Sequence, residues 1–248
     1  MFDDSIKAVL CDIGGVLYVG DSPIEGAVEA VKKIKERYPI RFLTNTTQKT
    51  SSQVVSKLQE MGFEIDAKEV ITALDVTKMY LQKEKSSAEF LLTDDAKVFF
   101  DELQVYPKKY VVVGDAQDNF SYANLNLAFR ELLHGAELLA IAKNRYFKDD
   151  DKELSMDAGC FVSALEYASG KESLLIGKPS KAFYHLACAD MEMKPSECVM
   201  IGDDIEGDIQ GAQEAGLTAV LVQTGKFAPK DLELGIMLQS VIASVAYL

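Results

Sequence analysis

Basic charge is what this 248-residue chain is short of: 26 lysines and arginines stand against 39 aspartates and glutamates, a formal net charge of −13 at neutral pH. Phosphate backbones are bound by basic patches, so the deficit argues against a nucleic-acid partner. It leaves room for one phosphate held locally by a metal ion, backbone N–H groups and a single lysine. Cysteine is scarce too. Cys11, Cys160, Cys188 and Cys198 show no CxxC spacing and lie mostly in apolar segments, which argues against a zinc site or a disulfide framework and reads as scattered buried thiols in a reducing compartment. No apolar run approaches the roughly 18 residues of a membrane span. Asp3 and Asp4, so near the start, are the wrong charge for a signal peptide. The expectation is a cytoplasmic protein with no membrane partner. Neither GxGxxG nor the GxxxxGK-S/T pattern occurs, so neither common nucleotide loop is supported. The two histidines, His134 and His185, fall in helical segments without ligand spacing and read as helix residues rather than catalysts.

What is present alternates. Lys7–Asp12 is a short apolar run of strand type, and "SPIEGAVEAVKKIKERY" then carries Ile24, Ala27, Val28, Val31 and Ile34 at a helical period. Ile40–Leu43 reads as a second strand, ending in the polar cluster "TNTTQKTSS". Val54, Val55, Leu58 and Met61 form a helix face that stops at Gly62. Strand, helix, strand, helix predicts a parallel α/β sheet. The alternation returns after residue 75, with strands at Glu89–Leu92, Tyr110–Val113 and Glu137–Ala142 and helices at about 95–103, 122–134 and 158–168. Strands at Ser173–Ile176, Cys198–Ile201 and Thr218–Val222 come next, separated by helices at about 181–191 and 206–215. Two sheets are expected. No repeat, low-complexity tract or glycine/serine linker marks the boundary between them.

Ligands of an open parallel sheet bind beyond the carboxyl ends of its strands. Those ends hold Asp12, then Thr44 and Asn45, then Asp203 and Asp204, with Lys178 just after the strand "SLLIG". Alone, each has a bland reading. Asp12 is a turn former, "TNTT" a capped loop, "GKPS" a turn into a helix, and the acids of "IGDDIEGDIQGA" neighbours of a helix dipole. Together they make a chemically sensible set at consistent places: an anionic nucleophile, hydroxyl and amide donors, a cation and a second acidic pair. "VVVGDAQD" looks like the same acidic strand end but lies in the middle segment, and "DDDKE" at 149–153 reads as a solvated hairpin tip.

These motifs resemble those of the haloacid dehalogenase superfamily of phosphatases: "CDIGGVL" its first motif, "FLTNTT" its second, "IGKPS" its third and "MIGDDIEGD" its fourth. Order and spacing span nearly the whole chain. The insert between the second and third motifs resembles the large α/β cap of the subclass with NagD-like and p-nitrophenylphosphatase-like enzymes. The resemblance implies a Rossmann-like parallel-sheet core over 1–75 and 176–248 and an α/β cap over 76–175. It implies Asp12 as nucleophile, forming an aspartyl-phosphate, and Mg2+ held by Asp12, the backbone carbonyl of Gly14 and Asp203. Thr44 and the N–H of Asn45 would bind phosphoryl oxygens, Lys178 would offset the charge of Asp12 and the phosphate, and Asp204 and Asp208 would support them. It further implies a small phosphorylated substrate and a homodimer through the cap.

One position departs from the pattern. Where the superfamily phosphatases carry a second aspartate that protonates the leaving oxygen, this chain has Gly14. A glycine supplies a carbonyl but no proton. The expectation is therefore a phosphohydrolase suited to good leaving groups (pyrophosphate, acyl phosphate or phosphoramidate), or one using a water or cap residue as acid. The alternative is a fold that binds Mg2+ and a phosphorylated ligand without turnover. If Gly14 holds a positive φ, restoring the aspartate would strain the turn.

Overall fold

The computed structural model describes residues 2–148 and 153–248, which fall into two units: Met1–Thr44, Ser51–Thr72 and Lys178–Leu248 in the first, Asn45–Thr50 and Ala73–Gly177 in the second. The first unit opens with β1 (Ala8–Asp12), buried at all five residues. A continuous apolar run is what a strand covered on both faces requires. A small hairpin, β2 (Tyr18–Val19) and β3 (Ser22–Pro23), leads into α1 (Ala27–Lys35). Ala27, Ala30, Val31 and Ile34 form the buried stripe of α1 at the i, i+3, i+4, i+7 spacing of an amphipathic helix. Then come β4 (Ile40–Thr44), α2 (Ser51–Glu60) and β5 (Val70–Thr72).

The second unit runs through α3 (Ala73–Lys83), β6 (Ser86–Leu91), α4 (Asp94–Val98), β7 (Lys108–Val113), α5 (Tyr122–Leu133) and β8 (Glu137–Ala140). A two-stranded antiparallel pair, β9 (Tyr146–Lys148) and β10 (Leu154–Met156), precedes α6 (Ala158–Ser169) and β11 (Leu174–Leu175). Asp157 caps α6, and Gly170 ends it in the left-handed conformation. The unit's sheet has the order β11-β8-β7-β6, parallel throughout. Its core joins Leu91, Val111 and Leu138 of the strands to Leu132 of α5 and Val162 of α6.

Back in the first unit, α7 (Lys181–Asp190) and β12 (Cys198–Gly202) are followed by a π-helical turn at Ile205–Gln210, α8 (Gly211–Glu214), β13 (Thr218–Val222) and β14 (Ser240–Ile242). The six parallel strands are ordered β14-β13-β12-β1-β4-β5. The chain winds outward from β1 through β4 and β5, then outward the other way from β12. The direction reverses between β1 and β12, and the crevice of a doubly wound sheet opens at the carboxyl ends there. Val9, Cys11, Phe42, Val199 and Ile201 pack beneath it with Val31, Ile34 and Leu58 of the helices. At roughly 1.5–3 kcal/mol for each large side chain buried, this core anchors the strand ends.

The α/β reading with parallel sheets holds. Several particulars differ from the sequence expectation. β5, α3 and β14 were not anticipated, and the helix expected at 206–215 begins as a π turn. The segment expected as a helix at 95–103 is helical only over Asp94–Val98. Cys11, Cys188 and Cys198 are buried, but Cys160 is half-exposed, its thiol donating to the Arg145 carbonyl at 3.1 Å; all four are free thiols. Residues 149–152 of the expected hairpin tip lie outside the described residues. Among the described residues no helix is long and apolar enough to cross a membrane.

Candidate active site

Strand register delivers the site. Cys11 lies opposite Ile201 of β12 and Phe42 of β4, and Asp12 lies opposite Leu43. Asp12 therefore ends the central strand, Thr44 ends β4 beside it, and Asp203 comes directly after β12. Asp12, Asp203 and Asp208 are all buried, and one carboxylate oxygen of each lies within 4.8 Å of the others. Lys178, with a side chain only 7% exposed, enters the same cluster. Its ammonium donates to Asp208 Oδ1 at 2.7 Å and to Asp12 Oδ1.

The π turn after β12 aims Asp208 inward. The N–H of Ile209 donates to the carbonyl of Asp204, five residues back, at 3.2 Å, and the widened turn is of the kind found at functional sites. Asp204 caps it, Oδ1 accepting from the N–H groups of Gly207 at 2.8 Å and Glu206 at 3.2 Å. Asp208 Oδ2 in turn accepts the Asp204 N–H at 3.2 Å. Gly202 makes room: a Cβ there would stand 2.2 Å from the Cβ of Asp208.

Burial pushes Asp12 up to about 7 despite Lys178, and Asp203 up to about 6 despite the Lys226 N–H. Burial also opposes the charge on Lys178, but Asp12 and Asp208 hold that ammonium well above the usual lysine value. Asp204 goes the other way: burial raises it, and the Gly207 N–H and the Lys226 ammonium more than compensate. Three buried acids around one ammonium are short of positive charge.

Two family models match the chain, haloacid dehalogenase-like hydrolase over residues 9–117 and HAD-hydrolase-like over residues 175–247. The Mus musculus protein named haloacid dehalogenase-like hydrolase domain-containing protein 2 is 39% identical over 230 residues, which cover 92% of this chain and 88% of that protein. The chain belongs to the haloacid dehalogenase-like hydrolases. A second relative, the phospholysine phosphohistidine inorganic pyrophosphate phosphatase of Danio rerio, is 40% identical over 238 residues, 93% of this chain and 87% of that protein. NagD from Escherichia coli K-12 shares the fold, with a TM-score of 0.89 at 22% identity over 98% of both chains.

Within this hydrolase the structure brings together Asp12, Lys178, Asp203 and Asp208, with Asp204 behind them. Asn45 belongs to the second unit, where its side chain lies against Gly177. Gly14 is exposed and pairs with Tyr18 in an isolated bridge. Its backbone is not left-handed; the positive φ, +81°, belongs to Gly15. Sequence reasoning missed the segment Thr224–Lys226 after β13. Thr224 Oγ1 donates to the Gly15 carbonyl at 2.5 Å, the Lys226 N–H to Asp203 Oδ2 at 2.6 Å, and its ammonium to Asp204 Oδ2 at 2.9 Å. The available signal was "QTGK" directly after an apolar strand, a polar strand end like the others.

Proposed function

We propose that this hydrolase is a Mg2+-dependent phosphohydrolase that acts through an aspartyl-phosphate on Asp12, with a small phosphorylated substrate bearing a good leaving group. The observation that supports it is the buried Lys178 ammonium shared by Asp12 and Asp208 beside Asp203. A carboxylate and a phosphate about 4 Å apart repel by about 4 kcal/mol at an effective dielectric of about 20. Lys178 offsets that repulsion and holds Asp12 in line to attack.

The donors fit Mg2+. All are hard oxygens, and the cluster lacks the positive charge a divalent ion brings. Asp12, Asp203 and the Gly14 carbonyl would hold it. Asp208, both of whose oxygens are engaged by Lys178 and the Asp204 N–H, supports them. Bound there, the ion supplies charge against the phosphoryl oxygens and keeps Asp12 ionised near neutrality. Thr44 and the N–H of Asn45 bind the equatorial phosphoryl oxygens in this reading, and segment 76–175 is the cap.

Gly14 decides the substrate class. Among the described residues, its chain neighbours apart, nothing lies within 4 Å of where its Cβ would stand, so position 14 has room for a side chain but supplies no acid of its own. General acid–base help is worth ~10²–10⁴ in rate, about 2.7–5.4 kcal/mol of barrier. Its loss weighs most on alkyl phosphates, whose alkoxide leaves badly, and least on pyrophosphate, acyl phosphates and phosphoramidates. The name of the Danio rerio relative points to the same kinds of bond. The same glycine favours a second reading, a protein that binds Mg2+ and a phosphorylated ligand without turnover.

Phosphate release from a panel of these compounds, with and without Mg2+, separates the two. The proposal expects Mg2+-dependent release, fastest from the P–O–P, acyl and P–N substrates, and abolished in Asp203→Asn together with calorimetric Mg2+ affinity. Release from none of them, with Mg2+ still bound, would favour the second reading.

A further inference from the structure

The strand end "VVVGDAQD" resembles the acidic motif after β12 yet sits in the second unit, at the end of β7. That unit also includes residues 45–50, the loop leaving β4 directly after Thr44. Asp115 ties the two together. Its Oδ2 accepts a hydrogen bond from Gln48 Nε2, its Oδ1 accepts the Gln117 N–H at 3.1 Å, and its own N–H donates to Thr47 Oγ1 at 3.2 Å. Thr47 is buried, at 7% exposure.

Two glycines permit the approach. A Cβ on Gly114 would stand 2.7 Å from Leu92 Cδ2 and 3.3 Å from the Cβ of Thr47. Two residues after β11, a Cβ on Gly177 would stand 2.2 Å from the Ile141 carbonyl and 3.0 Å from Asn45 Oδ1. Residues 45–50 form neither helix nor strand, so contacts of this kind, rather than a strand ladder, help to hold their path. A carboxylate with one oxygen on the loop and the other on its own turn is a stiff anchor, because charge-assisted hydrogen bonds are the strong ones.

We propose that Asp115 is a positioning residue for the phosphate-binding loop: it holds Thr47 and Gln48 so that Thr44 and Asn45, just upstream, present their donors at a fixed spacing. The proposal rests on the reading of Thr44 and Asn45 as phosphate ligands. The acidic strand end that looks like a metal motif is then a latch on the loop. Its loss touches phosphate binding and leaves Mg2+ binding alone, since the acids proposed for Mg2+ are on other strands.

The test compares wild type, Asp115→Ala, Asp115→Asn and Gln48→Ala as full-length proteins. Each is measured for KM and kcat on pyrophosphate, inhibition by inorganic phosphate, calorimetric Mg2+ affinity and thermal stability. Asp115→Ala should raise KM and weaken phosphate inhibition about tenfold, the scale of a hydrogen bond to a charged group. The kcat value and Mg2+ affinity should stay near wild type, as for lost uniform binding. Asp115→Asn, which keeps one acceptor oxygen, should recover part of the loss. Gln48→Ala, an exposed position, should reproduce it in part and carries the test if Asp115→Ala does not fold. Folded variants with wild-type KM and phosphate inhibition, or with Mg2+ and phosphate affinity falling together, would overturn the positioning role while leaving the proposed reaction intact. A wild-type protein that binds Mg2+ but neither binds inorganic phosphate nor turns over would overturn the phosphate-loop reading, and this role with it.

Discussion

Gly14 and Gly15 stand side by side and do opposite things. Gly15 carries the turn: its φ is +81°, and a Cβ on it would stand 2.0 Å from Asp203 Oδ2. Gly14 has neither constraint. The positive φ considered for position 14 therefore falls one residue later, and the strain expected to oppose an aspartate there is absent. That a carboxylate was missing could be read from "CDIGGVL". Which glycine bears the turn could not, because backbone angles leave no mark on composition. Gly14→Asp should fold like wild type and raise turnover of alkyl phosphates by up to ~10²–10⁴, the effect of a positioned proton donor. Pyrophosphate should gain less. Steady-state rates on both substrates check this, and equal rates for the two proteins on each would show that Gly14 is no catalytic deficit.

The strand β13 contributes through the loop at its carboxyl end. Gly225, at φ +61°, packs so closely that a Cβ would stand 2.0 Å from Asp203 Oδ2 and 2.4 Å from the Cα of Gly15. Gly20 has the same φ of +61° with nothing within 4 Å, which makes it a control for the backbone cost alone. Gly20→Ala should lose about 1–2 kcal/mol, the left-handed penalty, and leave calorimetric Mg2+ affinity unchanged. Gly225→Ala should lose more and weaken Mg2+ binding by displacing Asp203. Equal losses with Mg2+ affinity intact in both would mean that the loop after β13 does not orient Asp203. The strands that carry Asp12, Thr44 and Asp203 were legible because apolar runs ending in polar residues locate strand ends. The π turn was not, since it differs from an α-helix only in which carbonyl accepts each N–H. β5 and β14, three residues each, were too short to show a period.

Taken as one polypeptide, the chain combines an overall charge of −13 with a buried acidic cluster that the buried Lys178 ammonium enters. Alternation showed two parallel sheets. It could not show that residues 45–50 pack with the second unit while 51–72 return to the first, because that division is made by tertiary contacts of an irregular loop. The cluster should also shape stability. Asp12 is raised from the usual carboxylate value to about 7, so between pH 4 and 7 the folded state keeps a proton that the unfolded chain has lost. Stability contributed by that proton falls as pH rises through this window. In the presence of a chelator, Asp12→Asn, which cannot ionise, should therefore gain on wild type from pH 4 to pH 7 in denaturant melts, and Mg2+ should narrow the gap by favouring the ionised wild type. A gap constant with pH would mean that Asp12 is not desolvated. The central claim is that Asp12 attacks phosphorus, and an acid-quenched reaction with substrate and Mg2+, digested and mapped by mass spectrometry, tests it most directly. The account predicts a phosphoryl adduct on Asp12 that is absent in Asp12→Asn; an adduct on any other residue, or turnover surviving in Asp12→Asn, would contradict it.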